Sequence, residues 1–315
     1  MKPALQIPEA VRDAANGNWV DNDAPLTWRP WLRLSRLDRP IGTWLLLLPC
    51  WWGVGLAMMA DRPRWFDLWI VIACTIGAAV MRGTGCTWND ITDRDIDGAV
   101  DRTRNRPIPS GQVTLRGAYL WLALQLLIGL AVLLTLGGAA IWLGILSLLP
   151  VAVYPFAKRF TWWPQVFLGI AFNWGVMLAY AAHRGGLDLA PIIAWLGGIA
   201  WTVFYDTIYA HQDAEDDALI GVKSTARLFG TQSRRWLAGF AILSTALLAV
   251  AISATGAGGL SWLIAMAGLA GFGAHLLWQL NRFDLHNNQV QLTLFRSNRD
   301  AGLILAVFLG LAGIM

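Results

Sequence analysis

The sequence predicts an all-α fold, a polytopic membrane bundle of about nine transmembrane helices around a cytoplasm-facing cavity. Three observations carry this. Hydrophobic residues make up 56% of the 315-residue chain and charged residues only 14%, whereas soluble domains carry about 25% charged residues. Apolar runs near the ~20 residues that span a bilayer recur along the chain. The 19 tryptophans suit a protein with two membrane interfaces, where indoles concentrate. In such a chain the net charge of +4 reports topology, and no nucleic-acid partner is expected.

Residues 1–30 are polar and carry Pro3, Pro8, Pro25 and Pro30. They lack the basic-then-apolar pattern of a signal peptide and predict a flexible cytoplasmic tail. Residues 31–315 predict one membrane domain. Its spans fall at about 41–60, 65–88, 116–135, 138–157, 162–182, 190–210, 236–255, 258–280 and 300–315, the last being short. Gly137-Gly138 alone separates spans three and four, which predicts a tight hairpin. Cys50, Cys74 and Cys86 lie in apolar runs without metal-ligand spacing and read as packing residues.

Lys and Arg set the topology. Arg29, Arg33, Arg36 and Arg39 precede span one, and Arg94, Arg102, Arg104, Arg106 and Arg116 follow span two. Lys158 and Arg159 follow span four. Lys223, Arg227, Arg234 and Arg235 follow span six, and Arg282, Arg296 and Arg299 follow span eight. The opposite connections hold only Arg62, Arg64 and Arg184. The N-terminus is therefore expected in the cytoplasm.

Asn89-Asp90-Ile91-Thr92-Asp93-Arg94-Asp95-Ile96-Asp97 packs four carboxylates against the end of a span, a costly placement that calls for a cation. Asn89, Asp93 and Asp97 are four apart and would stack on one helix face. Such hard oxygens suit Mg²⁺ shared with substrate phosphates. A second cluster holds Asp206, Asp213, Asp216 and Asp217. Asp213 and Asp217 are again four apart, with Asp206 two turns earlier on the same face. Asn89, Asp90, Asp93, Asp97, Asp213 and Asp217 are the candidate metal ligands, and two metal sites clamping one diphosphate are expected.

The basic residues divide between topology and substrate. Arg102 and Arg106, in Asp101-Arg102-Thr103-Arg104-Asn105-Arg106-Pro107, could fork onto phosphate oxygens. Tyr154 lies beside Lys158 and Arg159, which could stabilise a departing diphosphate, and Lys223 is a further diphosphate contact. Gly221-Val222-Lys223-Ser224-Thr225 lacks the upstream glycine and strand of a phosphate-binding NTPase loop, so that reading is rejected. Arg82 stands inside span two, seven residues before Asn89 on the same face, where a charge is usually functional. It is the candidate for an anionic substrate group, with Arg36 next. His211, among the second carboxylates, reads as a polar residue at a span end. The fitting chemistry is ionisation of an allylic diphosphate, stabilised by metal and basic groups, with an electron-rich acceptor attacking the cation.

These motifs resemble the UbiA superfamily of membrane prenyltransferases. Asn89, Asp90, Asp93 and Asp97 match its N-D-x-x-D-x-x-x-D signature. Arg102, Thr103, Arg106 and Pro107 match R-T-x-x-R-P, and Asp213 and Asp217 match D-x-x-x-D. Flanking stretches are similar to those of 4-hydroxybenzoate polyprenyltransferases: Gly85-Cys86-Thr87-Trp88, Tyr154-Pro155 with Lys158-Arg159, Trp163-Pro164-Gln165, Asp206-Thr207, Gly221 to Thr225, and Phe295 to Asp300. The resemblance covers about 36–315. It implies Mg²⁺ as cofactor, a polyprenyl diphosphate donor, and prenylation of 4-hydroxybenzoate ortho to its hydroxyl in ubiquinone biosynthesis. It also implies a bacterial inner-membrane location and an arginine for the acceptor carboxylate, which Arg82 matches. The nearest rival is a member of the superfamily with another acceptor, haem or another quinone headgroup. A transporter fits less well, because the acidic residues gather at span ends rather than lining a path.

Overall fold

The structure is a computed structural model that describes residues 17–99, 103–219 and 221–315. Within them, the side chains of Ile96, Ala99, Glu215, Asp216 and Asp217 lie outside the description. The helices are α1 (Trp19–Asn22), α2 (Arg29–Leu34), α3 (Ile41–Ala60), α4 (Trp65–Ala99), α5 (Leu115–Leu133), α6 (Gly138–Phe160) and α7 (Pro164–Arg184). They continue as α8 (Leu189–Ala210), α9 (Ala214–Leu219), α10 (Thr225–Phe229), α11 (Ser233–Ser253), α12 (Gly259–Arg282) and α13 (Asn288–Ile314). Nine helical stretches among the described residues are long and apolar enough to cross a membrane. Leu120, Trp142, Leu149 and Ile242 are each at least two-thirds exposed on them, which is stable only against lipid. The chain is an integral membrane protein.

Two element boundaries were not expected. Within the segment expected to be a loose tail, residues 19–22 form α1 and 29–30 begin α2: Val20 is buried, and Arg33 holds Asp21 at 2.7 Å. Helix α4 runs on past the expected span end at 88 to Ala99 and so carries the acidic motif on a helix, as expected. Helix α13 begins at Asn288 rather than 300, capped by Asn287, whose side chain accepts from the Val290 amide at 3.1 Å. Polar residues hid that start. Gln291 and Asn298 are buried and hydrogen-bonded, so they do not end the helix.

The chain forms two compact units. The first takes the described parts of Met1–Thr43 and Ile76–Val132. Leu34, Ile91, Val113 and Ala118 form a core there, flanked by Trp31, Trp88, Ile108 and Trp121. Ser35 ties the unit together: its Oγ accepts from Trp121 Nε1 and Gln125 Nε2, both at 2.8 Å. Gln125 Oε1 in turn accepts from Thr87 at 3.3 Å. These bonds fix α4 against α5 just before the acidic motif.

The second unit takes Trp44–Thr75 and Leu133–Met315. Its core packs Trp52 against Trp201 at 5.0 Å and a 39° tilt, with Phe272 and Tyr205 edge-on. Asn298 Oδ1 accepts from Trp201 Nε1 at 2.9 Å, so the buried indole is satisfied. Small residues let helices approach closely. A Cβ on Gly53 of α3 would collide with the Val176 carbonyl of α7.

Candidate active site

In the first unit, α4 carries Asn89, Asp93 and Asp97 at helical spacing, as the sequence predicts. Asp90, Asp93 and Asp97 are all buried. Three buried carboxylates are costly unless countercharged. Arg36 Nη2 donates to Asp90 Oδ1 at 2.7 Å. Arg106 Nη1 donates to Asp97 Oδ2 at 2.7 Å and lies 3.6 Å from Asp90 Oδ1. Thr103 Oγ1 donates to the Asp97 carbonyl at 2.8 Å. The Thr103–Arg106 turn thus folds back onto the motif. Arg36 and Arg106, expected at the substrate, each pair with carboxylates of the motif, and Asp90, expected as a metal ligand, is the carboxylate that both approach. Arg102 lies outside the described residues.

Local backbone explains how Arg36 reaches Asp90. Helix α2 ends in a Schellman motif: Leu37 N donates to Leu32 O at 3.0 Å and Arg36 N to Arg33 O at 3.0 Å. That motif needs a left-handed residue, and Arg36 supplies it at φ 56°. Arg82 sits two turns before Asn89 on α4, with its guanidinium over Gly42, where any Cβ would collide with it. Gly42 at the start of α3 is what makes room for this charge.

In the second unit, Asp206 lies near the end of α8, and Asp213 closes a 3-10 turn, His211–Asp213, that leads into α9. The stretch from Asp206 to Asp213 is therefore not one unbroken α-helix. The side chain of Asp217 lies outside the description. His211 Nε2 bonds Ser233 Oγ at 2.9 Å and its ring packs on Phe283, so it is engaged structurally. The Gly221–Thr225 segment docks on neighbouring helices. Thr225 N donates to Gln165 Oε1 at 3.1 Å, and its hydroxyl bonds Thr207, next to Asp206, at 2.6 Å. Lys223 N donates to the Lys158 carbonyl at 3.1 Å, and Lys223 Nζ reaches the Phe160 carbonyl at 3.4 Å. Lys158, Arg159 and Lys223 thus gather at the end of α6, where Tyr154 lies one turn back. Arg227, over the Trp162 ring at 5.3 Å, joins them.

Sequence reading missed the Ser35–Gln125–Thr87 network and a buried pair in the second unit. There, His183 Nδ1 lies 2.5 Å from Asp67 Oδ1, beside Arg64 and Asp61. A lone Gln in the apolar run of α5 and a His ending α7 were the available signals.

Among the described residues, no three His, Cys, Asp or Glu side chains are placed to hold an ion between them. Mg²⁺ does not need three. It binds through one or two carboxylates plus substrate phosphate and water, and Asp93 with the second oxygen of Asp97 is such a donor pair. The first acidic motif therefore fits that ion.

A membrane bundle with a buried acidic motif on one helix and a basic return turn defines a class, and the UbiA prenyltransferase family matches residues 46–312. The chain belongs to that family. It is 47% identical over 293 residues to 4-hydroxybenzoate polyprenyltransferase, mitochondrial, of Rattus norvegicus, covering 93% of this chain and 76% of that one. It is 43% identical over 311 residues to the Homo sapiens protein of the same name, covering 98% and 81%. Its fold is similar to a UbiA homolog from Archaeoglobus fulgidus bound to GPP and Mg²⁺. That likeness has a TM-score of 0.66 at 22% identity, over 90% of this chain and 99% of that one.

Proposed function

We propose that this protein transfers a polyprenyl group from polyprenyl diphosphate to the ring carbon ortho to the hydroxyl of 4-hydroxybenzoate, a step of ubiquinone biosynthesis. The observation that carries the reading is the buried motif Asp90–Asp97 held by Arg36 and Arg106. It stands in a chain whose relatives bear that activity in their names. Asn89, Asp90, Asp93 and Asp97 on α4 are one proposed donor set for Mg²⁺, and Asp213 with Asp217 is another. When bound, the ion would neutralise diphosphate oxygens as charge builds on the leaving group.

The protein's own groups supply the rest. Arg36 and Arg106 hold the side chains of Asp90 and Asp97 in place, so the acidic face is preorganised before substrate arrives. Lys158, Arg159 and Lys223 receive the diphosphate as the allylic C–O bond breaks. Arg82 takes the acceptor carboxylate. The ring carbon then forms the new C–C bond to the allylic cation and gives up its proton to the released diphosphate. The reaction is assigned to the cytoplasmic side from the Lys and Arg distribution. The finer location, a bacterial inner membrane, draws no support from the relatives, which are named as mitochondrial.

The test is direct. Purified protein is incubated with labelled 4-hydroxybenzoate, a polyprenyl diphosphate and Mg²⁺, and a lipid-soluble product is sought. Product is expected only with the metal. Asp93→Asn, Asp97→Asn, Asp213→Asn and Asp217→Asn should each lower the rate about 10²-fold or more. A product formed only with another acceptor would move the assignment within the family, and near-normal turnover in Asp93→Asn and Asp213→Asn would remove the metal assignment.

A further inference from the structure

An apolar groove of about 340 Å³ opens on the first unit between α2 and α5. Its walls are Trp28, Trp31, Leu120, Trp121 and Leu124, with Gly117 among the lining residues. Trp31 and Trp121 lie 5.6 Å apart at 47°. Trp121 Nε1 is spent on Ser35, so the groove meets only its ring. A Cβ on Gly117 would stand 2.9 Å from the Trp31 ring, so glycine lets that indole lie against α5. Trp28, Leu120 and Leu124 are 55%, 73% and 47% exposed. On a membrane helix such a surface is filled by acyl chain.

Charge identifies which lipid. Arg116 stands four residues before Leu120 and eight before Leu124, on the same face of α5. It is exposed and has no carboxylate partner among the described residues. Its neighbours in the unit differ. Arg33, Arg36 and Arg39 are held by Asp21, Asp90 and Asp38, and Arg29 by the Ala24 carbonyl. We propose that the groove binds an anionic membrane phospholipid, one acyl chain lying between α2 and α5 and the phosphate on Arg116. The site lies behind the acidic motif: Trp31 and Trp121 flank the cluster containing Ile91, which stands between Asp90 and Asp93. An occupied groove braces that turn of α4. The inference requires only that the protein spans a membrane and is independent of the prenyl-transfer reading.

Native mass spectrometry of the full chain, titrated with phosphatidylglycerol or with phosphatidylcholine of the same acyl chains, tests it. The unsubstituted protein should prefer phosphatidylglycerol. Arg116→Gln should weaken phosphatidylglycerol about five-fold and leave phosphatidylcholine unchanged, the loss expected for one interfacial charge. Leu120→Trp, which fills the groove, should weaken both lipids. Arg235→Gln removes an exposed charge on α11 and should keep the preference. The proposal is overturned if Arg116→Gln keeps the full preference, if Arg235→Gln loses as much, or if Leu120→Trp binds both lipids as before.

Discussion

At Arg36, backbone and side chain make opposite demands. The left-handed φ of 56° costs a non-glycine residue about 1 kcal/mol relative to Gly, yet it is the guanidinium at this position that holds Asp90. Removing one partner of such a buried pair costs about 3 kcal/mol or more. Arg36→Ala and Arg36→Gly should therefore both lose turnover to a similar degree. They should differ in stability, with the glycine variant about 1 kcal/mol more stable in denaturant or thermal unfolding. Equal stability would mean that the left-handed residue carries no strain. Arg82 makes a separate prediction. A benzoate carboxylate pairs with its fork through two parallel hydrogen bonds, which the Lys point charge does not reproduce. Arg82→Lys should raise the KM for 4-hydroxybenzoate about ten-fold or more, with little change in the KM for the prenyl diphosphate. Loss of the donor with normal acceptor affinity would place Arg82 at the diphosphate instead.

The short helices α1 and α2 act as one element through a single clasp. Arg33 Nη2 and Asn18 Nδ2 donate to the two oxygens of Asp21, both at 2.7 Å. Burial alone would raise the Asp21 carboxyl, but the hydrogen bonds of Arg33 and Asn18 and the charges of Arg33 and Arg29 hold it below its ordinary 3.8. A depressed carboxylate stabilises the fold above its unfolded pKa, and that stability is lost as pH falls below about 3.8 toward the folded value. Asp21→Asn leaves buried Arg33 without its counter-ion and should cost about 1–3 kcal/mol at neutral pH. Limited proteolysis of residues 17–37 should then show cleavage in the variant at pH 7, and in the parent only on acidification. None of this clasp was legible in the sequence, because four prolines and few apolar residues conceal two helices of four and six residues. The acidic face of α4 was legible, since spacing by four on a helix needs no tertiary information. The return of Thr103 and Arg106 onto it has no periodic signal. The run from Asp206 to Asp213 gives no sequence sign of the 3-10 turn at His211–Asp213. The start of α13 was hidden because polarity was read as exposure, whereas Asn298 and Gln279 satisfy each other inside the second unit.

At the scale of the whole molecule, basic residues crowd every second connection between the spans. Several of them, including Arg36, Arg39 and Arg106, pair with carboxylates and so do more than mark topology. The bias survives this. The rule counts Lys and Arg near span ends, with little weight for acidic residues, and the opposite connections carry only Arg62, Arg64 and Arg184. Of these, Arg64 and Arg184 are engaged by Asp61 and Asp188. The loops at 103–115 and 211–235 should therefore both face the cytoplasm, and Arg62 the other side. Single cysteines provide the measurement. The native Cys50, Cys74 and Cys86 are buried and unbridged, so alanine at all three gives a background without reactive thiols. Exposed Ser110→Cys and Leu219→Cys report the two motif-bearing loops, and exposed Arg62→Cys reports the other side. In intact bacterial cells expressing these variants, an impermeant maleimide should label Arg62→Cys alone, and all three after the membrane is opened. Labelling of Ser110→Cys or Leu219→Cys from outside would invert the orientation. Labelling of just one of those two from outside would put the acidic clusters on opposite sides of the membrane, and one diphosphate could not then engage both.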